Sequence, residues 1–105
     1  MVEKNVIKWS PEAKLELKEI YSYLKERSFQ GVNHVKRAIL RTVDKLENPF
    51  VVYPFDPFLG EPYRYIVTDK YKQYKIIHIK TGKTIDILSI FNTWQNTSKM
   101  ENIKS

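Results

Sequence analysis

The chain contains no cysteine, which excludes a disulfide framework, a thiolate metal site and a thiol nucleophile, and predicts a reducing compartment, the cytoplasm. Its three glycines, Gly31, Gly60 and Gly82, are too scattered to build a phosphate-cradling loop. There is no serine nucleophile elbow and no His-Glu zinc helix. Only two histidines occur, His34 and His78, and without cysteine such a pair is rarely a metal site; no metal and no cofactor are assigned. No run of about 18 apolar residues is present, so a membrane span is not expected. Charges interrupt the N-terminal stretch Met1 to Trp9, which therefore lacks the apolar region of an export signal.

What remains is 105 residues, 42% apolar and 13% aromatic, with a formal charge of +6. That length is expected to form one domain, 1–105, burying roughly 65% of the surface exposed on unfolding. Divided at Pro49, each half carries +3, so the basicity is not a detachable tail. It suits an anionic partner, either nucleic acid or an acidic protein, and equally suits plain solubility.

Residues 5–9, Asn-Val-Ile-Lys-Trp, read as a strand that stops at Ser10-Pro11, the N-cap and first residue of a helix. Ala13, Leu17, Ile20, Tyr21 and Leu24 recur at helical steps among charged residues. Ser28 to Gly31 breaks the pattern, and Val32, Val35, Ile39, Val43 and Leu46 rebuild it until Asn48-Pro49. The spacing predicts an antiparallel helical hairpin whose apolar stripes need a sheet. Residues 49–62 hold four of the five prolines with Phe50, Tyr53, Phe55 and Phe58, which predicts an ordered loop packed on the core. Strands are expected at Tyr63 to Thr68, Tyr71 to Lys80 and Thr84 to Phe91, with turns at Asp69-Lys70 and Thr81-Gly82-Lys83. The expected class is thus α+β in the order β-α-α-β-β-β: an N-terminal strand, a helical hairpin and a three-stranded antiparallel meander. Apolar residues of both parities in the last two strands call for cover on both sheet faces, the second supplied by the C-terminal segment or a partner. The tail 96–105 is read as a short helix or a flexible end.

The sheet interleaves Arg64, Lys72, Lys75 and Lys80 with Tyr63, Tyr65, Tyr71, Tyr74 and His78. Cations with stacking rings suit a single-stranded nucleic acid. A solvated strand face with lysine and tyrosine chosen for β propensity and edge protection accounts for the same residues.

Trp9-Ser10-Pro11-Glu12-Ala13, the helical hairpin, Tyr63-Arg64-Tyr65-Ile66-Val67, Tyr74-Lys75-Ile76-Ile77-His78 and Ile90-Phe91-Asn92-Thr93-Trp94-Gln95-Asn96 follow one another in order. Together, from about Val6 to Gln95, they resemble the RelE/ParE superfamily of toxins from bacterial type II toxin–antitoxin and plasmid stabilisation modules. The resemblance implies a small antiparallel sheet packed on a helical hairpin, a cognate antitoxin as partner, and a toxin–antitoxin hetero-oligomer. It matches Arg64 to the basic residue that opens the strand after the hairpin. It matches Lys75 to the basic position, usually arginine, of the central-strand motif, and both are expected to face an anionic target. Trp94 stands where the family's final motif has arginine, and His78 where tyrosine is common.

The ParE branch looks like a poison of DNA gyrase that acts by binding, and this is the reading expected here. Lys72, Tyr74, Trp94 and Gln95 are then candidate target-binding residues, with Trp94 either an exposed anchor or packed at the core edge. The RelE branch implies a metal-independent endoribonuclease acting on ribosome-bound messenger, with Arg64, Lys75 and His78 as candidate catalytic residues. The third reading is a toxin-like fold that has lost activity and only binds.

Overall fold

The computed structural model describes residues 3–68, 74–93 and 103. Their order is β1 (Val6–Trp9), α1 (Pro11–Arg27), α2 (Phe29–Lys45), β2 (Arg64–Val67), β3 (Tyr74–Thr81) and β4 (Thr84–Asn92), an α+β arrangement as expected. The four strands form one sheet in the order β1-β4-β3-β2. The last three make the antiparallel meander, and β1 lies parallel to β4 with Val6 opposite Thr84. The expected turn at Asp69-Lys70 and nearly all of the tail 96–105 lie outside the described residues.

Local chemistry explains both helix starts. Ser10 is extended, its hydroxyl oxygen accepts from the Ala13 amide at 3.0 Å, and Pro11 occupies the position where no amide donor is needed. The same hydroxyl donates to the Leu88 carbonyl at 3.0 Å, and the Ser10 amide donates to the Ile87 carbonyl at 2.9 Å. One residue thereby caps α1 and ties it to β4. Ser28 does double duty: its amide closes α1 on the Leu24 carbonyl at 2.8 Å, and its hydroxyl caps α2 by accepting from the Gly31 amide at 3.0 Å. The second helix therefore begins at Phe29, three residues before the apolar stripe resumes. A side chain at Gly31 would meet Ser28 at 3.3 Å, so glycine suits this tight cap.

The main core lies between the helices and one sheet face. Val35, Ile39, Val43 and Leu46 of the expected stripe, with Val32 at its margin, pack toward Ile66, Tyr74, Ile76, Ile85, Ile87 and Ile90. From α1 only Ala13 is fully buried, while Leu17, Ile20, Tyr21 and Leu24 are half-buried. The opposite face carries a second cluster, Leu59, Ile77 and Phe91, joined by Tyr63, Tyr65, Leu88 and Ile103. Both sheet faces are thus apolar, and the proline-rich loop covers the second one. A register shift at Ile77/His78 pairs them with Ser89 and Ile87, leaving Leu88 as the extra residue of a bulge. No helix among the described residues is long and apolar enough to cross a membrane.

Ser10→Ala should cost about 2 kcal/mol, the upper range for a lost N-cap, because it also strands the Leu88 carbonyl. Ser28→Ala, at an exposed cap, should cost about 1 kcal/mol. Urea unfolding of the two variants measures the difference, and equal losses would show that the Leu88 bond contributes nothing.

Candidate functional site

The loop between α2 and β2 builds a small closed structure around Asp56. Its amide donates to the Tyr63 carbonyl at 2.7 Å and its carbonyl accepts from Gly60 at 2.7 Å. Gly60 has φ of +72°, which permits the reversal at low steric cost. One carboxylate oxygen, Oδ1, accepts from the Phe58 and Leu59 amides, both at 2.9 Å, in an Asx-type turn that sends Leu59 into the second core. The other, Oδ2, lies 2.5 Å from the Lys75 ammonium, which also sits 4.7 Å from the centre of the Tyr65 ring. Asp56 is 0% exposed and the Lys75 side chain 15%. Burial pushes the Asp56 carboxyl up, but the hydrogen-bonded Lys75 ammonium and the two amide donors outweigh it and hold the group below the ordinary carboxylate range.

Arg64 lies on the other side of the sheet. Cross-strand partners share a face, and the β2/β3 register pairs Arg64 with His78 and Val67 with Lys75. Arg64 and Lys75 therefore point to opposite faces. The Arg64 guanidinium donates to the Tyr53 carbonyl at 2.6 Å and stacks 4.0 Å from the Phe55 ring centre. His78 is 1% exposed, edge-on to Tyr53 at 6.2 Å between ring centres. Its Nδ1 has no hydrogen-bond partner among the described residues. Burial lowers its pKa to about 4, the Arg64 charge adds to that, and a hydrogen bond with the Ile76 backbone only partly opposes it.

Tyr74 also faces inward, 4% exposed in the main core, and burial with the neighbouring Tyr23 raises its pKa. It has no open face on which a base could stack. Of the remaining candidates, Lys72, Trp94 and Gln95 lie outside the described residues. The expectation that Arg64 and Lys75 together face an anion is not met by this geometry: they are on opposite faces, and each is held by the loop, Arg64 by Tyr53 and Phe55, Lys75 by Asp56. Among the described residues no group of three or more histidines, cysteines or carboxylates could hold a metal ion.

The arrangement is similar to a solved chain of the chromosomal ParDE TA (toxin–antitoxin) system from P. aeruginosa. The TM-score is 0.68 at 20% identity, covering 84% of this chain and 95% of that one. The chain shares the fold of that chain. No protein-family model matches the sequence, and no curated protein matches it.

Within that fold, Asp56 is the residue that sequence reasoning passed over. Its signal was present as Asp56-Pro57-Phe58-Leu59, an aspartate placed to bond amides two and three residues on. A second missed feature is a helical-hairpin hollow lined by Lys14, Lys18, Lys25 and Lys36. The α1 lysines sit at four- and seven-residue steps, a spacing that puts them on one helix face.

Asp56→Ala leaves a nearly buried ammonium without its counter-ion and should destabilise the fold by about 3–5 kcal/mol. Lys75→Met should do comparable damage by stranding the carboxylate. Asp56→Asn combined with Lys75→Met keeps the amide acceptor and removes both charges, so it should recover more than half of either loss; a strictly additive result in denaturant unfolding would show that the pair is not coupled.

The buried imidazole also sets a pH dependence. Its folded pKa of about 4 lies below the ordinary 6.5, so the unfolded chain takes up the proton first. Stability should fall by roughly 3 kcal/mol as pH drops from 6.5 toward 4 through this imidazole. Thermal unfolding across that window should show the slope in the wild type, and His78→Phe should flatten it.

Proposed function

We propose that this protein is the toxin component of a bacterial type II toxin–antitoxin module, held in check in the cytoplasm by a cognate antitoxin in a hetero-oligomer. We further propose that it inhibits growth by binding DNA gyrase. The fold likeness to a chain of the ParDE system supports the toxin reading.

The observation that favours binding over cleavage is the division of the cations between two faces. Cutting messenger at a 2′-hydroxyl needs positive charge and a proton-transferring group within reach of one phosphate. Here Arg64 and His78 share one face, Lys75 lies on the other, its ammonium is neutralised by Asp56, and His78 is enclosed and neutral at physiological pH. A binding inhibitor needs none of these to converge.

Expression from a tightly controlled promoter should arrest growth with transcripts uncut at their 5′ ends, and the purified chain should inhibit supercoiling by gyrase. Arg64→Ala, once shown to be folded by circular dichroism, should still arrest growth. New in-frame, codon-register cuts would overturn the gyrase reading in favour of a ribosome-dependent endoribonuclease. Harmless expression in several hosts would leave only the inactive binding module. Lys75→Ala is unsuited to this test, because it leaves Asp56 buried and unpaired.

A further inference from the structure

A second hollow, of about 370 Å³, opens between α1, the start of β3 and the end of β4. The carboxylates of Glu16 and Glu19, the phenols of Tyr23 and Tyr74, and Ile20 line it. Among the described residues no lysine or arginine does, in a chain of net charge +6. Glu16 is fixed from the sheet side, where the Ser89 hydroxyl donates to its two carboxylate oxygens at 2.9 and 3.0 Å. A carboxylate accepts from several donors at once, so this bond orients Glu16 and keeps its charge in place. Tyr23 is 56% exposed and already carries a cation on its ring, the Arg27 guanidinium 4.4 Å from the centre.

Tyr74 is the unusual member of the lining. It is 4% exposed with its ring in the main core, yet its hydroxyl has no hydrogen-bond partner among the described residues. That hydroxyl is not sealed in the core either, and its end is where Tyr74 meets the hollow. A buried tyrosine hydroxyl ordinarily finds a partner, and one without a partner has given up hydration for nothing. Glu16 and Glu19 add a second cost, because like charges three residues apart on a helix repel each other. Both costs are relieved by one kind of ligand, a cation with N–H donors that neutralises the carboxylates and donates to the phenol oxygen.

We propose that this hollow binds a primary alkylammonium group, its N–H donors on Glu16, Glu19 and the Tyr74 hydroxyl oxygen and its methylene stem along Ile20 and the Tyr23 ring. An ammonium has three donors and no acceptor, and these residues offer three acceptors. A divalent metal ion fits less well, because calcium takes about six to eight oxygen ligands, drawn from carboxylates and carbonyls and not from neutral phenols. The inference rests on these lining residues and not on the choice of gyrase or messenger as target. The same group is presented by a small aliphatic diamine and by a lysine side chain of another protein.

The test titrates the full chain with 1,4-diaminobutane in a calorimeter, where a Kd of about 0.1 mM is expected for so small a ligand. Glu19→Gln should weaken binding about tenfold, and Tyr74→Phe, which removes a single oxygen from a buried ring, about fivefold. Glu19 is exposed, so its variant keeps the test sound even if Tyr74→Phe perturbs the core. Glu61→Gln, the same loss of charge in the loop before β2, should leave the affinity unchanged. Butanol, which has the stem without the charge, and tetramethylammonium, which has the charge without an N–H donor, should bind at least about tenfold more weakly than the diamine.

Failure of the diamine to bind at millimolar concentration would overturn the proposal. Equal affinity for tetramethylammonium, or an equal loss in Glu61→Gln, would do so too. N-acetyl-lysine methylamide separates the two sources: tighter binding than the diamine assigns the hollow to a lysine side chain of another protein, weaker binding to a small amine, and both results uphold the ammonium assignment.

Discussion

A four-stranded sheet with apolar side chains on both faces has to be covered twice, and two helices cover it once. Everything distinctive about this chain follows from how the second face is closed. The loop of residues 49–62 lies across that side and drives Leu59 in beside Ile77 and Phe91. A loop carries polar backbone groups that must be satisfied wherever it is buried. Asp56 satisfies two of them with one oxygen, and is buried in doing so. A buried carboxylate then requires a counter-charge, and Lys75 supplies it on that face. The ion pair is in this sense a consequence of covering a two-faced sheet with a turn.

This ordering of causes decides how Lys75 is understood. As one residue of a basic and aromatic strand, it reads as a cation turned toward a phosphate. In the folded chain its charge is spent on an internal acid, and the same ammonium lies 4.7 Å from the centre of the Tyr65 ring. Arg64 shows the parallel case on the opposite face, where an aromatic side chain and a carbonyl of the same loop hold the guanidinium. The loop therefore engages both of the cations that a family pattern would send to a shared target.

The parts legible in the sequence are those governed by nearest neighbours along the chain. Ser10-Pro11 announces a helix because a cap needs only its own next three residues, and the Val32 to Leu46 stripe announces a buried face because period 3.6 is local. Three residues of α2 were missed because Ser28 closes one helix and opens the next without a loop between them. The relative faces of Arg64 and Lys75 were not legible, since a slip of one residue in the β2/β3 register puts both on one face and nothing within either strand specifies it. His78, a candidate catalytic residue with a solvated strand face as the alternative, shares the parity of Ile76 and Tyr74, which face the helices, and is buried. Asp56 pairs with a residue nineteen positions later, and that contact exists only once the loop has folded onto the sheet.

The same separation of charges shapes what the molecule can do. Catalysis at a phosphate is intolerant of distance, so cations on opposite sides of a sheet cannot act on one reacting group. Recognition of a macromolecule is more tolerant, because charges spread over a surface still sum into a field that steers and orients a partner. In this chain Arg64 and Lys75 are engaged within the fold, whereas Lys14, Lys18 and Lys25 of the helical hairpin line an open hollow. Positive charge open to a partner is thus carried on the helices, apart from the two sheet cations that the loop engages.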